Sequence, residues 1–340
     1  MHWEAVRSWR DHLLADLASA PCEPLSPAGA RHALQAALDA LSDEALATAA
    51  ATEGTPWSSA AFVAARTVST APIEWCALLL GRGTPVLLKA PREAPGLAPW
   101  LAHHAEQVGL PLRWTTSREA VAGAELVLAM GSDETIAGID QATAPGTCVL
   151  GFGHRFSLAW WGREAPTRET AEALADDLAL HDTRGCMSPA VIFTDAPPDI
   201  VLPALSAAME AAQQTLPRGA CSDQEHADLR SRGALARVLG RAAEAKGWAV
   251  HLLPLAHARP VALPRCAQVV VVRDLYEALA WTRAWRTQLS TVGTTDANTA
   301  AEWREIGASM VCSTGQMQRP PLIRTHDGVD LVRATLRQVG

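Results

Sequence analysis

At 340 residues the chain exceeds what a single hydrophobic core organises well, which predicts two domains. Apolar residues at 49% and charged residues at 19% describe an ordinary globular composition and argue against disorder. A formal net charge of −7, with no Lys/Arg cluster interleaved with aromatics, argues against nucleic acid as a partner. Residues 1–17 carry Glu4, Arg7, Arg10, Asp11 and Asp16 without a continuous apolar stretch, so they do not read as a signal peptide. The longest apolar runs, such as residues 76–80, are far short of a membrane span. The 7 cysteines are odd in number, scattered, and lack the paired spacings of zinc sites or disulfide scaffolds, which predicts a reducing cytoplasm and no metal.

In chain order, residues 30–50 have apolar residues at helical spacing and predict one or two amphipathic helices, part of an N-terminal arm over residues 1–50. After the turn-rich stretch 53–59, short apolar runs at 85–89, 126–130 and 147–152 read as strands, and residues 95–108 as a helix. That alternation predicts a parallel sheet with crossover helices in a domain over residues 51–180. A helix at 167–180 leads into a second series. Strands are expected at 190–194 and 268–272, and helices at 200–215, 223–246 and 274–285, forming a second domain over 181–305. A strand at 309–312 and a helix at 328–337 close the chain in a return segment over 306–340. The fold class is therefore α/β, with two lobes and mostly parallel sheets.

The chemistry centres on Cys186, which follows Gly185 between the helix at 167–180 and the strand at 190–194. Glycine lets the backbone turn there, and a loop at such a junction presents a thiol at a cleft. Taken by itself a cysteine is more often core filler than nucleophile, so the residues alone leave both readings open.

Four stretches in a fixed order bear on that choice. Residues 72–111 contain a strand ending in Lys89 and a following helix, and residues 126–139 contain a strand, the Gly131-Ser132 turn and a helix. Gly185-Cys186-Met187-Ser188-Pro189 follows, then the C-terminal stretch 306–333 with Gln316, Gln318, Arg319-Pro320-Pro321 and Asp327-Gly328. Together, over residues 57–339, they resemble the aldehyde dehydrogenase superfamily, and specifically its acyl-CoA reductase branch, the LuxC type of fatty acyl reductase. The resemblance implies an aldehyde dehydrogenase-like fold with an interlobe active-site cleft. It also implies an acyl-CoA or acyl-carrier substrate, acyl transfer to Cys186, and reduction by a nicotinamide through a thiohemiacetal to an aldehyde. A homo-oligomer of at least two subunits is implied as well.

In the same comparison Lys89, Gly131 and Ser132 match cofactor positions, the latter pair where a pyrophosphate would rest on a helix N-terminus. There is no G-x-G-x-x-G, a fingerprint this family does not use. Arg92 stands where the family has a ribose-binding glutamate, which favours NADPH, with NADH as the alternative; the competing reading is a solvated surface charge. Val149 replaces the glutamate that activates water in oxidising members, as suits a reductase that must keep water off its thioester. Thr70 aligns with the oxyanion-donating asparagine, and loss of such a donor costs ~10²–10³ in rate. A catalytically impaired protein that binds an acyl thioester or a partner enzyme is thus the alternative function. His181 is a candidate for proton transfer to the thiol, or else a residue of the helix's last turn favourable with its dipole. Asp182 matches an acidic position in relatives and is expected to orient the loop. Glu277 and the Trp160-Trp161 pair read as a surface residue and core packing respectively.

Overall fold

Short apolar strands bounded by turn residues alternate with amphipathic helices, and this alternation closes into two sheets, each in its own unit. The computed structural model describes residues 2–65, 67–92 and 95–337. Unit 1 is drawn from Met1–Cys22, Arg31–His154 and Pro320–Gly340, and unit 2 from Glu23–Ala30 and Arg155–Arg319. The division falls at 154/155 and not at the expected 180/181, because the strand Phe156–Trp161 pairs with its neighbours in the second sheet.

Unit 1 holds the parallel strands β1 (Ala60–Val63), β2 (Val86–Lys89), β3 (Leu112–Thr115), β4 (Leu126–Met130) and β5 (Cys148–Phe152), in the order β3-β2-β1-β4-β5. The chain steps outward from β1 to β3, then restarts on the other side with β4. Neighbouring connections therefore diverge between the carboxyl ends of β1 and β4, the place where open α/β sheets form a ligand crevice. Its helices are α1 (Trp3–Ala15), α2 (Pro27–Asp39), α3 (Asp43–Ala51), α4 (Pro72–Gly81), α5 (Ala98–Gln107) and α6 (Asp133–Ala142), the first turn of α2 grouping with unit 2. Every residue of α4 except Glu74 is buried, as its apolar sequence demands, with α1 and α3 packed on it. The expected helix at 328–337 is instead a hairpin, Thr325–His326 against Val329–Asp330, then one helical turn (Leu331–Ala334) and a two-residue strand paired with Thr55–Pro56. The cause is Asp327-Gly328, both at positive φ (48° and 88°), the backbone of a tight hairpin turn.

Unit 2 holds β6 (Phe156–Trp161), β7 (Pro189–Thr194), β8 (Arg241–Ala245), β9 (Trp248–Leu253), β10 (Cys266–Val271), β11 (Leu289–Thr294) and β12 (Met310–Ser313). Their order is β12-β11-β6-β7-β10-β9-β8, parallel except for the edge pair β8/β9. Trp160 and Trp161 are buried in β6. The helices are α7 (Arg168–Ala179), α8 (Pro198–Thr215), α9 (Asp223–Leu239), α10 (Leu275–Arg283) and α11 (Ala300–Glu305). The helix expected over 223–246 ends at Leu239, and Gly240 hands the chain to the edge strand β8. Ser222 starts α9 in a capping box with Glu225, and Thr167 starts α7 in one with Thr170. No helix among the described residues is long and apolar enough to cross a membrane, and no cluster of three His, Cys, Asp or Glu among them could hold a metal ion.

Candidate active site

In unit 2, Cys186 lies on the loop between α7 and β7. Between residues 181 and 190 only Arg184 and Cys186 escape burial, so the loop is sealed on both sides of a half-buried cysteine. Hydrogen bonds around the cysteine fix it. The hydroxyl of Ser157, on β6, donates to the Cys186 carbonyl at 2.6 Å and accepts the Thr291 amide of β11 at 3.0 Å. The Gln318 amide donates to Ser188 Oγ at 2.7 Å, which ties the C-terminal signature to the same loop. That signature is itself held on α7, where the buried Asp177 carboxylate accepts the amides of Gly315 and Met317. Burial is the main cause that raises Asp177 to about 7.

Of the other cysteines, Cys76 and Cys266 are buried, and Cys22, Cys148, Cys221 and Cys312 are half-buried like Cys186. Burial pushes Cys76 and Cys266 up to about 12, Cys312 to about 12 as well, and Cys148 and Cys221 upward. Cys266 carries the outline of a rival nucleophile: its Sγ lies 3.3 Å from His251 Nδ1, whose Nε2 lies 2.9 Å from Glu244. A sealed, protonated thiol is a poor nucleophile, and this group reads as a hydrogen-bonded chain that ends on the Glu244 carboxylate, itself paired with Arg237. His181 sits past the end of α7, buried, and its pKa is pushed down to about 4, first by burial and then by the Arg319 charge.

In unit 1, Lys89 ends β2, and its ammonium is held below the usual lysine range by burial and by the charges of Arg118 and Arg92. Arg118 was not foreseen; it follows β3, whose Thr115 pairs with Lys89 in register and accepts the Ser117 amide on its hydroxyl. The carboxyl ends of two adjacent strands thus gather three cations, with Arg92 and Arg118 exposed. Gly131 and Ser132 occupy the switch point, and Ser132 caps α6 by accepting the Thr135 amide at 3.2 Å. The first turn of α6 already carries Asp133 and Glu134, which complement the helix dipole themselves and disfavour a second anion there. Val149 lies in β5, and Thr70 precedes α4 with its side chain buried. Glu277 is spent locally, accepting the Arg273 amide at 2.8 Å beside the Asp274 cap.

A family model for LuxC acyl-CoA reductase matches residues 114–337, which include Gly131, Ser132, Cys186 and the C-terminal return. The chain belongs to the LuxC acyl-CoA reductase family. Its activity class is accordingly that of an oxidoreductase acting on aldehyde or acyl groups. Solved structures place this LuxC member in the aldehyde dehydrogenase fold. It is similar to indole-3-acetaldehyde dehydrogenase AldA of P. syringae, solved with NAD+ and IAA, at 13% identity and a TM-score of 0.75, covering 97% of this chain and 79% of that one. It is also similar to an NAD-dependent aldehyde dehydrogenase of Sinorhizobium meliloti (15%, TM-score 0.71, 92% and 74%) and to lactaldehyde dehydrogenase of Escherichia coli (15%, TM-score 0.70, 92% and 77%). A search of curated proteins finds no match.

Proposed function

We propose that this chain is an NADPH-dependent reductase of acyl thioesters, acyl-CoA or acyl-carrier, that releases an aldehyde. Its carrying observation is a half-buried cysteine on a loop that is mostly buried and pinned. The Cys186 thiolate attacks the thioester carbonyl and expels the carrier thiolate, which takes a proton; one thioester is exchanged for another, so the step is close to balanced in energy. Thr70 is the candidate donor to the thioester oxygen. Val149 supplies no general base, which spares the acyl enzyme from hydrolysis. Lys89, Arg92 and Arg118 fit a phosphorylated dinucleotide, offering charge and N–H donors for a 2′-phosphate, while Gly131 and Ser132 line the switch point beside an acidic turn that contributes no charge attraction to the pyrophosphate. The bound nicotinamide would supply the hydride that reduces the acyl group. In this reading His181 packs the loop; an uncharged ring with a pKa about 4 is too weak a base to hold the thiol proton. A cytoplasmic homo-oligomer of at least two subunits completes the proposal.

The burial of Thr70 favours a second reading, a protein that binds acyl thioesters with little turnover. Incubation with an acyl-CoA panel and NADPH separates the two. The enzyme reading expects NADPH consumption and an acyl adduct on the Cys186 peptide by mass spectrometry, both lost in Cys186→Ala. Tight NADPH binding with no adduct in the wild type would leave the binder. Arg92→Glu is expected to weaken NADPH by about tenfold or more while sparing NADH, since a charge-assisted phosphate contact is lost; equal weakening of both would remove the 2′-phosphate assignment.

A further inference from the structure

The Cys186 loop leaves α7 through an unusual turn. Asp182 and Thr183 both take positive φ (52° and 59°), a region that a β-branched residue in particular avoids. Arg265, 83 residues away, also has positive φ (52°), so three of the four such non-glycine residues described in this chain meet at one spot. Asp182 and Arg265 are bonded to each other. Arg265 Nε donates to Asp182 Oδ1 at 2.6 Å, the Arg265 amide donates to the Asp182 carbonyl at 3.2 Å, and both side chains are 1% exposed. The second carboxylate oxygen accepts the Gly219 amide at 2.9 Å and Arg184 Nη1 at 3.1 Å, and Arg265 Nη2 donates to the Leu216 carbonyl at 2.7 Å.

A buried ion pair is seldom a better stabiliser than apolar packing, and here Arg265 Nη1 is buried without a partner, so stability alone is a weak reason for it. What the pair does is hold a strained backbone in one conformation three residues before the thiol, and strain of this kind persists only where its surroundings over-determine it. We propose that Arg265 is a positioning residue for Cys186, acting through Asp182: it locks the left-handed turn that leads into Cys186 and sets where its thiol lies. The proposal rests on the reading of Cys186 as the acyl acceptor.

The test compares the full-length wild type, Arg265→Lys, Arg265→Met and the double variant D182N/R265M, which leaves no lone buried charge if Arg265→Met fails to fold. Three rates are read: acylation of Cys186 by acyl-CoA, its alkylation by iodoacetamide, and hydrogen exchange of residues 182–188. Acylation needs an oriented thiol, and a displacement of about 1 Å costs about a hundredfold, whereas a small alkylator needs only access. Arg265→Met and the double variant are expected to lose about a hundredfold in acylation but less than about threefold in alkylation. Arg265→Lys should recover part of the acylation rate, and exchange should rise in residues 182–188 alone. Wild-type acylation in either arginine-free variant, or unchanged exchange in that segment, overturns the proposal. Should the wild type form no acyl adduct, the functional reading fails, and exchange alone then decides whether Arg265 holds the turn.

Discussion

His181 stands five residues before Cys186 and, being buried, affects stability more directly than chemistry. A base whose folded pKa lies below its free value binds fewer protons folded than unfolded. Its contribution is therefore complete above about 6.5 and is lost as pH falls toward about 4. Fully developed, that loss is on the order of 3 kcal/mol. Asp177 acts with the opposite sign: raised from 3.8 to about 7, it contributes stability below 3.8 that is lost as pH rises through about 7. The wild-type curve mixes the two, so the difference between wild type and His181→Gln isolates the histidine. Melting temperatures between pH 6.5 and 4.5 should fall more in the wild type than in His181→Gln, and parallel curves would mean the ring protonates freely in the folded state. At this scale the sequence offers candidates where a residue's neighbours in the chain mark it. Lys89, Gly131-Ser132 and Gly185-Cys186 are proposed on such local patterns. Ser157 and Arg265 are not, since their partners lie 29 and 83 residues away and nothing beside them advertises the contact.

Among the elements, several aliphatic runs were read as strands almost to the residue, β4 at 126–130 being one. The strands missed include apolar ones, β1 (Ala60–Val63) and β9 (Trp248–Leu253), as well as polar ones. β11 is Leu-Ser-Thr-Val-Gly-Thr, polar by sequence yet buried at every position; its Thr291 amide donates to Ser157 of β6 and its Thr294 hydroxyl to the Asp296 carbonyl. The passage from α9 to β8 was missed for another reason: charged and apolar residues continue with helical spacing through 241–245, and only Gly240 marks the break. A Cβ at Gly240 would stand 2.1 Å from the Leu252 carbonyl oxygen, a backbone atom of β9 that no rotamer change can move. Gly240→Ala must therefore disturb the β8/β9 pairing, where Arg241 faces Leu252. It is expected to cost about 1–3 kcal/mol, the usual range for forced overpacking. Urea denaturation gives the value, and an unchanged midpoint would show that the helix can end elsewhere.

On the scale of the whole chain, the sequence suggested contiguous blocks while each unit is assembled from separate segments. Local patterning cannot reveal this, because closing a long loop adds only slowly to the entropic cost and leaves no compositional mark. The return segment after Arg319 is the clearest case. Leu322, Leu331, Val332 and Leu336 enter the core of unit 1, and Trp57 Nε1 donates to the Ala334 carbonyl at 2.9 Å across 277 residues. Arg324 grips Glu74 of α4 with two hydrogen bonds of 2.7 and 2.8 Å. The side chains assigned to the dinucleotide all precede residue 154, yet the unit that carries them is completed by the last residues described. Leu331 is fully buried, and Leu331→Ala should cost about 2–5 kcal/mol. The loss belongs to unit 1. Limited proteolysis of the variant should accelerate cutting within residues 31–154 while the segment 155–319 keeps its resistance, and NADPH affinity should fall although no cofactor residue has changed. Equal acceleration in both segments would show that the return segment supports the two units alike.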